Sequence, residues 1–140
     1  MGVAVGFQED RRALAQQQGV PLATEQADLA AWAPAPGSYD AVVLTYVHFP
    51  SAQRTAIHQR LQQALRPGGW LLLEAFHPLQ LQHTSGGPKD PDMLYTLEQL
   101  RGDFAGRMHE TLGWEGPLTL DEGPGHQGPA HVVRWLGQAL

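Results

Sequence analysis

The stretch "ALRPGGWLLLEAFHP" (residues 64–78) decides the fold. It reads as the exit of a helix, a tight double-glycine turn, and a strand apolar at successive positions, as a strand covered on both faces must be. Upstream, "YDAVVLTYV" (39–47) is a second continuous apolar run. Between them "SAQRTAIHQRLQQALRPGG" (51–69) is the clearest helix of the chain. Ser51 stands where a capping hydroxyl is wanted, and Ile57, Leu61 and Leu65 form its buried stripe. Pro67 and Gly68 are expected to stop it. A strand, a helix and a strand in this order predict a parallel pair with the helix packed on one face.

Working outward, "VAVGFQEDRRALAQQQG" (3–19) carries two periodicities. Val3, Phe7 and Leu14 share one helical face, and Gly19 suits the position just past a helix end. Val3, Val5 and Phe7 also alternate as a strand would; the helical reading is the preferred one. "VPLATEQADL" (20–29) is a short strand running into an acidic loop, and "APAPGS" (33–38) is a connector. Downstream, a helix is expected from Asp92 as N-cap, with Met93, Leu97, Leu100 and Phe104 on one face. The last third predicts strands near 112–121 and 130–137, joined as an antiparallel hairpin by "GPGHQG" (123–128). With strands also near 22–26, 39–46 and 70–76, the expected class is α/β. The expectation is a Rossmann-like, mostly parallel sheet flanked by helices, closed by an antiparallel hairpin, in a single domain over 1–140.

Composition limits the function. A chain of 140 residues with 42% hydrophobic and 16% charged residues is an ordinary globular domain. A formal net charge of -5, with nine scattered Lys and Arg, argues against nucleic-acid and anionic-membrane binding. No cysteine is present, so there is no thiol nucleophile and no cysteine-based metal site. The histidines show no metal-binding spacing, so no metal is expected, and no nucleophile elbow or phosphate loop occurs. No apolar run reaches the roughly 20 residues of a membrane span and no signal peptide is recognisable, which predicts a cytoplasmic protein.

The pairing of "YDAVVLTYV" with "LRPGGWLLLEAF" resembles the second half of a class I S-adenosylmethionine-dependent methyltransferase. In that family an Asp opens the fourth strand and a Leu-Lys/Arg-Pro-Gly-Gly turn leads into the fifth. "GGPKDPDMLYTLEQL" and "DEGPGHQGPAHVVRWLG" are similar to its tellurite-resistance-like, type 11/12 branch. The resemblance implies methyl transfer from S-adenosylmethionine to a small-molecule acceptor. It also exposes a departure. The family's Asp-x-Gly-x-Gly-x-Gly loop and the acidic residue that holds the cofactor's ribose do not occur in this sequence. The expectation is therefore an N-terminally truncated domain that starts at the helix after the second strand and lacks roughly 50 residues, since a βαβ unit takes about 30 or more.

The resemblance implies the following site. Asp28 and Leu29 lie where the family places a carboxylate and a backbone amide against adenine; the competing reading of Asp28 is a turn cap. Tyr46 and Val47 end the strand that packs the sulfonium and the acceptor. His48 is the candidate catalytic base, since it follows a buried strand and titrates near neutrality, with a loop cap as the other reading. His77, Lys89 in the glycine-flexed "GGPKD" (86–90), and His126 are candidate acceptor contacts.

Two consequences are expected from the missing loop. Without the ribose carboxylate and the glycine amides, S-adenosylmethionine binds weakly or not at all, and the alternative function is a non-catalytic remnant or interaction module. The sheet would also be open between its third and fourth strands. Either 20–27 pairs directly with 39–46, or a second copy covers the exposed sheet edge as a homodimer.

Overall fold

The computed structural model describes residues 2–5 and 9–140. The chain divides into two compact units, one up to Ala33 and one from Pro34 to Leu140.

In the first unit, β1 (Gly2–Val5), α1 (Glu9–Gln18) and β2 (Leu22–Glu25) form a βαβ unit whose strands pair in parallel, Gly2 opposite Leu22 and Val5 opposite Glu25. The preferred single helix over 3–19 is thus corrected: a strand precedes the helix, and the alternating Val3 and Val5 belong to it. Phe7, which served both readings, lies outside the described residues. The exit of α1 is as expected. Gly19 sits at φ 64°, its N–H donates to the Gln16 carbonyl, and that of Val20 to Ala15. These bonds form the closing pair of a Schellman motif, which needs a left-handed residue at that point. Arg12 Nε donates to Thr24 Oγ1 at 2.7 Å, tying α1 to β2. The expected direct pairing of 20–27 with 39–46 is corrected: β2 pairs with β1 in a two-stranded sheet, and β3 belongs to the four-stranded sheet of the second unit.

The second unit holds a four-stranded sheet in the order β3 (Tyr39–Thr45), β4 (Leu65–Phe76), β6 (Gln127–Ala139), β5 (Met108–Asp121). β3 and β4 are parallel, while β4–β6 and β5–β6 are antiparallel. The hairpin is longer at both ends than the sequence suggests. α2 (Ser51–Gln63) and α3 (Leu97–Phe104) serve as its helices.

Three boundaries differ from expectation. α2 ends at Gln63, and Leu65 already pairs with Tyr39 as the first residue of β4. The "RPGG" segment is therefore a bulge inside the strand and does not end the helix. Four residues, Arg66 to Gly69, stand opposite Asp40 alone before Trp70 resumes pairing with Ala41. Gly68 takes φ 78°, and a Cβ on Gly69 would sit 2.9 Å from the Asp40 carbonyl oxygen, so both glycines are required. Ser51 does not cap α2. Pro50 holds the cap position, and the Ser51 N–H donates to Asp92 Oδ2 at 3.0 Å. Nor does Asp92 cap a helix. Asp90 caps a 3-10 turn at Pro91–Met93, and α3 starts after Thr96, whose hydroxyl and Gln99 form a capping box.

One sheet face is closed by the helices. Leu71, Leu73 and Ala75 of β4 alternate inward with Val133 and Trp135 of β6, and all are buried together with Ile57, Leu61, Leu100 and Phe104. Each of the Leu, Ile, Val and Phe side chains among them contributes about 1.5–3 kcal/mol on burial. The opposite face is closed only at one end, where Phe76, Leu94, Leu120, Ala130 and Val132 cluster with Tyr46 and Leu118. In its middle, Val43 and Leu72 remain 62% and 41% exposed, in a shallow apolar trough with Leu112 and Leu136. The expected coverage of β3 and β4 on both faces therefore holds for one face and one end.

Beneath the closed face lies a polar cluster that a sequence reading of α2 misses. Asp103 of α3 receives Arg54 Nε at 2.7 Å, Thr55 Oγ1 at 2.9 Å and His58 Nδ1 at 2.8 Å. Burial pushes its carboxyl up, but the hydrogen bonds from His58, Arg54 and Thr55 outweigh this and hold it at about 2. A signal was present. Arg54, Ile57, His58 and Leu61 fall at i, i+3, i+4 and i+7, so the polar pair shares the buried stripe.

Candidate functional site

Chemistry-bearing side chains gather where β3 and β4 end, the position at which open α/β sheets receive ligands. After Thr45, Tyr46 turns into the left-handed region at φ 53°, the only described residue other than glycine to do so. Such a conformation costs about 1–3 kcal/mol and persists only where surroundings enforce it. Here the Tyr46 N–H donates to the Glu74 carbonyl at 2.8 Å, and its hydroxyl donates to Glu74 Oε1 at 2.5 Å. The other carboxylate oxygen of Glu74 receives Arg134 Nε. Burial raises the Tyr46 pKa strongly, and hydrogen bonds to Glu74 and Glu122 raise it further, so the phenol stays a proton donor.

The Tyr46 ring stacks on Phe76 at 4.7 Å, and His126 meets it edge-on at 4.7 Å. His126 stands on the 123–128 turn with Nδ1 3.6 Å from Glu122 Oε2. Above them the 85–87 segment forms a roof. Gln80, buried, donates to Ser85 Oγ and the Gly86 carbonyl and accepts from the His131 N–H, pinning this segment to β6. Gly86 approaches the other turn so closely that a Cβ would lie 2.6 Å from the Gly125 carbonyl oxygen.

The remaining candidates are placed as follows. Val47 is half-buried in the connection to α2. His48 is a tether: Nδ1 donates to the Met93 carbonyl at 2.5 Å, and Nε2 accepts from the Phe76 N–H at 3.3 Å. Burial lowers its pKa, opposed by the Met93 carbonyl. Both ring nitrogens are thus engaged with backbone, as the loop-cap reading of this residue has it. His77 caps the 3-10 turn over 78–82 by accepting from the Leu79 N–H at 3.1 Å, while its Nε2 lies 3.4 Å from Glu115. Burial lowers its pKa, with Glu115 raising and His131 lowering it. Lys89 is exposed on the loop beyond the roof. In the first unit Asp28 closes a turn, its Oδ1 accepting from the Ala30 N–H at 2.9 Å and its carbonyl from Ala31 and Trp32. Oδ2 carries no hydrogen bond among the described residues, so this carboxylate keeps an acceptor for an exocyclic amine. From sequence, Glu74 is expected to face this cleft and reads equally as a structural or a catalytic residue, while Arg134 and Glu122 carry no signal. No group of metal-ligating side chains occurs among the described residues.

Residues 4–69 match the family model described as a methyltransferase domain. That match takes in just under half of the chain, which over those residues resembles a methyltransferase domain. Solved structures agree with this chain in fold. It is similar to an S-adenosylmethionine-dependent methyltransferase from Methanosarcina mazei at 13% identity and TM-score 0.68, covering 99% of this chain and 81% of that one. It is similar to TehB from Haemophilus influenzae at 17% identity and TM-score 0.67, covering 97% of this chain and 49% of that one. It is also similar to the Burkholderia thailandensis 1,6-didemethyltoxoflavin-N1-methyltransferase, solved with 1,6-didemethyltoxoflavin and S-adenosylhomocysteine. There the identity is 14% and the TM-score 0.65, covering 98% of this chain and 60% of that one. The chain thus spans from about half to about four fifths of these structures. No curated protein matches its sequence. The cofactor of that methyltransferase family is S-adenosylmethionine. No helix among the described residues is long and apolar enough to cross a membrane.

Proposed function

We propose that this chain is a cytoplasmic enzyme that methylates a small molecule, and that the acceptor lies at the ends of β3 and β4. The strained Tyr46 carries this reading. A left-handed tyrosine whose hydroxyl is committed to Glu74 and whose ring stacks on Phe76 costs stability and yields a fixed aromatic wall at the end of β3. When bound, the cofactor supplies an electrophilic methyl group on a positively charged sulfur. The chain's own residues hold and desolvate. In the first unit, taken by itself, Asp28 keeps a carboxylate oxygen for an adenine amine, with Leu29 next to it in the chain. Tyr46 and Val47 border the sulfur end, Phe76 and the Gly86–Gly87 roof exclude water, and His77 and Lys89 stand nearer the acceptor's entry. Such displacements depend mainly on alignment in a dry site, so few titrating groups are needed.

Because the sequence contains neither the glycine-rich loop nor the ribose carboxylate, cofactor affinity of this chain is proposed to be millimolar. Two lost charge-assisted hydrogen bonds, each worth about 1.5–3 kcal/mol, suffice for that. The test is an amide-resolved NMR titration with S-adenosylhomocysteine into the millimolar range. Shifts should centre on Ala30 and Trp32 and vanish in Asp28→Ala; a spectrum unchanged at these amides would refute the cofactor site. The non-catalytic alternative, a remnant or interaction module that does not bind the cofactor, predicts no shifts at these amides and no methyl transfer.

We further propose that a second copy covers the free edge of β3 and the apolar trough beside it. β3 ends the four-stranded sheet and has one strand neighbour among the described residues. An open edge next to exposed Val43 and Leu72 favours self-association.

A further inference from the structure

We infer that His126, oriented by Glu122, is the group that takes the acceptor's proton; this rests on the methyl-transfer reading above. The geometry separates it from the other histidine at the site. His48 has its Nδ1–H on Met93 and its Nε2 lone pair on the Phe76 N–H, so it has no nitrogen to offer without breaking the β3–β4 connection. His126 has Nδ1 facing the Glu122 carboxylate at 3.6 Å, while its Nε2 carries no hydrogen bond among the described residues. The ring is partly open to solvent, with 33% of the side chain exposed, which leaves a route for the proton to leave. It stands edge-on to the partly buried Tyr46 at 4.7 Å and to the buried Phe76 beneath it at 5.7 Å, so it borders the tyrosine ring against which a planar acceptor would lie.

The groups around it fit the role. Glu122 is shared between His126 and the Tyr46 phenol, and Glu74 is already neutralised by Arg134. One carboxylate is therefore left to stabilise an imidazolium, the arrangement in which a positioned acid orients a histidine base. Gly86 fixes the imidazole's place, because a side chain there would strike the Gly125 carbonyl and the His126 Cδ2. In the step itself the acceptor O–H or N–H gives its proton to Nε2 and bonds the methyl carbon. Bound S-adenosylmethionine would supply the methyl group, its sulfur keeping the bonding pair, and the proton would pass from Nε2 to solvent. The acceptor class is thus an uncharged aromatic or heteroaromatic molecule whose nucleophile still carries a proton at neutral pH.

Two measurements test this on the intact chain. Diethyl pyrocarbonate acylates an unengaged neutral imidazole, and peptide mapping reads each histidine without any methyl transfer. His126 should be modified at least tenfold faster than His48 and His58; equal rates would overturn the proposal while leaving the cofactor titration untouched. The second uses millimolar S-adenosylmethionine with two probe acceptors, phenol, which needs a base, and 4-nitrothiophenol, already a thiolate at neutral pH. His126→Gln should lower transfer to phenol at least a hundredfold and change transfer to the thiolate less than twofold. Glu122→Gln should lower the phenol reaction about tenfold. Equal losses on both probes would mark His126 as structural and overturn the base role.

Discussion

Gly87 lies against the ring of Phe76 so closely that a Cβ would meet Cδ2 at 2.8 Å and Cγ at 3.0 Å. The ring is buried within the cluster that seals the ends of β3 and β4, so it has no free direction in which to move. Gly87 also has φ 90°, which a side chain resists. Gly87→Ala is expected to lower stability by about 2–4 kcal/mol, the sum of overpacking and backbone strain. Gly102 in α3 has no atom within 4 Å of its added Cβ and is the control. Gly102→Ala should raise stability by about 0.5–1 kcal/mol. Urea unfolding of both variants checks the pair, and a neutral Gly87→Ala would show that the roof is not seated on Phe76.

Asp103 predicts an acid limb. Its folded pKa of about 2 lies below the ordinary 3.8, so it contributes stability that is complete above about pH 4 and is lost as pH falls through about 2. The contribution is about 2 kcal/mol. Asp103→Asn should flatten the unfolding profile in that window. It should also cost about 3–5 kcal/mol at neutral pH, because Arg54 is left buried without a countercharge.

His48 predicts a second limb at higher pH. Its folded pKa is lowered from 6.5, so the unfolded chain binds the proton more readily. Stability is then full above about pH 6.5 and declines as pH falls through the lower folded value. His48→Ala should remove this limb and cost about 1–3 kcal/mol by stranding the Met93 carbonyl or the Phe76 N–H. Thermal melts between pH 7.5 and about pH 5 test it. A wild-type curve flat over that range would contradict the tether.

The open trough predicts association. Light scattering of the wild type should show a concentration-dependent dimer, and Leu72→Lys should return it to a monomer without loss of thermal stability, since Leu72 is 41% exposed. A wild type that stays monomeric at high concentration would exclude the second copy.

The strands were the legible part of the fold. "YDAVVLTYV", "WLLLEAF" and the hairpin around 123–128 combine apolar content with glycine punctuation, and each forms where it was expected. The boundaries were less legible because several residues carried the same signal. Asp90, Asp92 and Thr96 are all good caps within seven residues, and only packing selects Thr96 for α3. Pro67 and Gly68 suit a helix stop and a strand bulge equally well. At the site, Tyr46 and His126 could be named from their places in the family pattern. Glu122 and Arg134 could not, because a carboxylate in a turn and an arginine in a strand both read as solvent-facing until strand register sets them beside Tyr46 and Glu74. His48 was legible as important but open in role, since a histidine before Phe-Pro suits a base and a tether alike.

The bulge at Arg66–Gly69 gives the chain slack at one point. Beyond it, β4 faces alternate strictly, and a slip of one residue would turn Leu71, Leu73 and Ala75 outward and Glu74 inward. The phase of that alternation is set where Gly69 rests against Asp40, not where α2 ends. Gain or loss of a residue between Leu65 and Gly68 is therefore absorbed as a larger or smaller loop. The same change between Trp70 and Phe76 would dismantle the core and scatter Glu74 and Phe76 from Tyr46. Length variation can thus accumulate on one side of Gly69 and is lethal to the fold on the other.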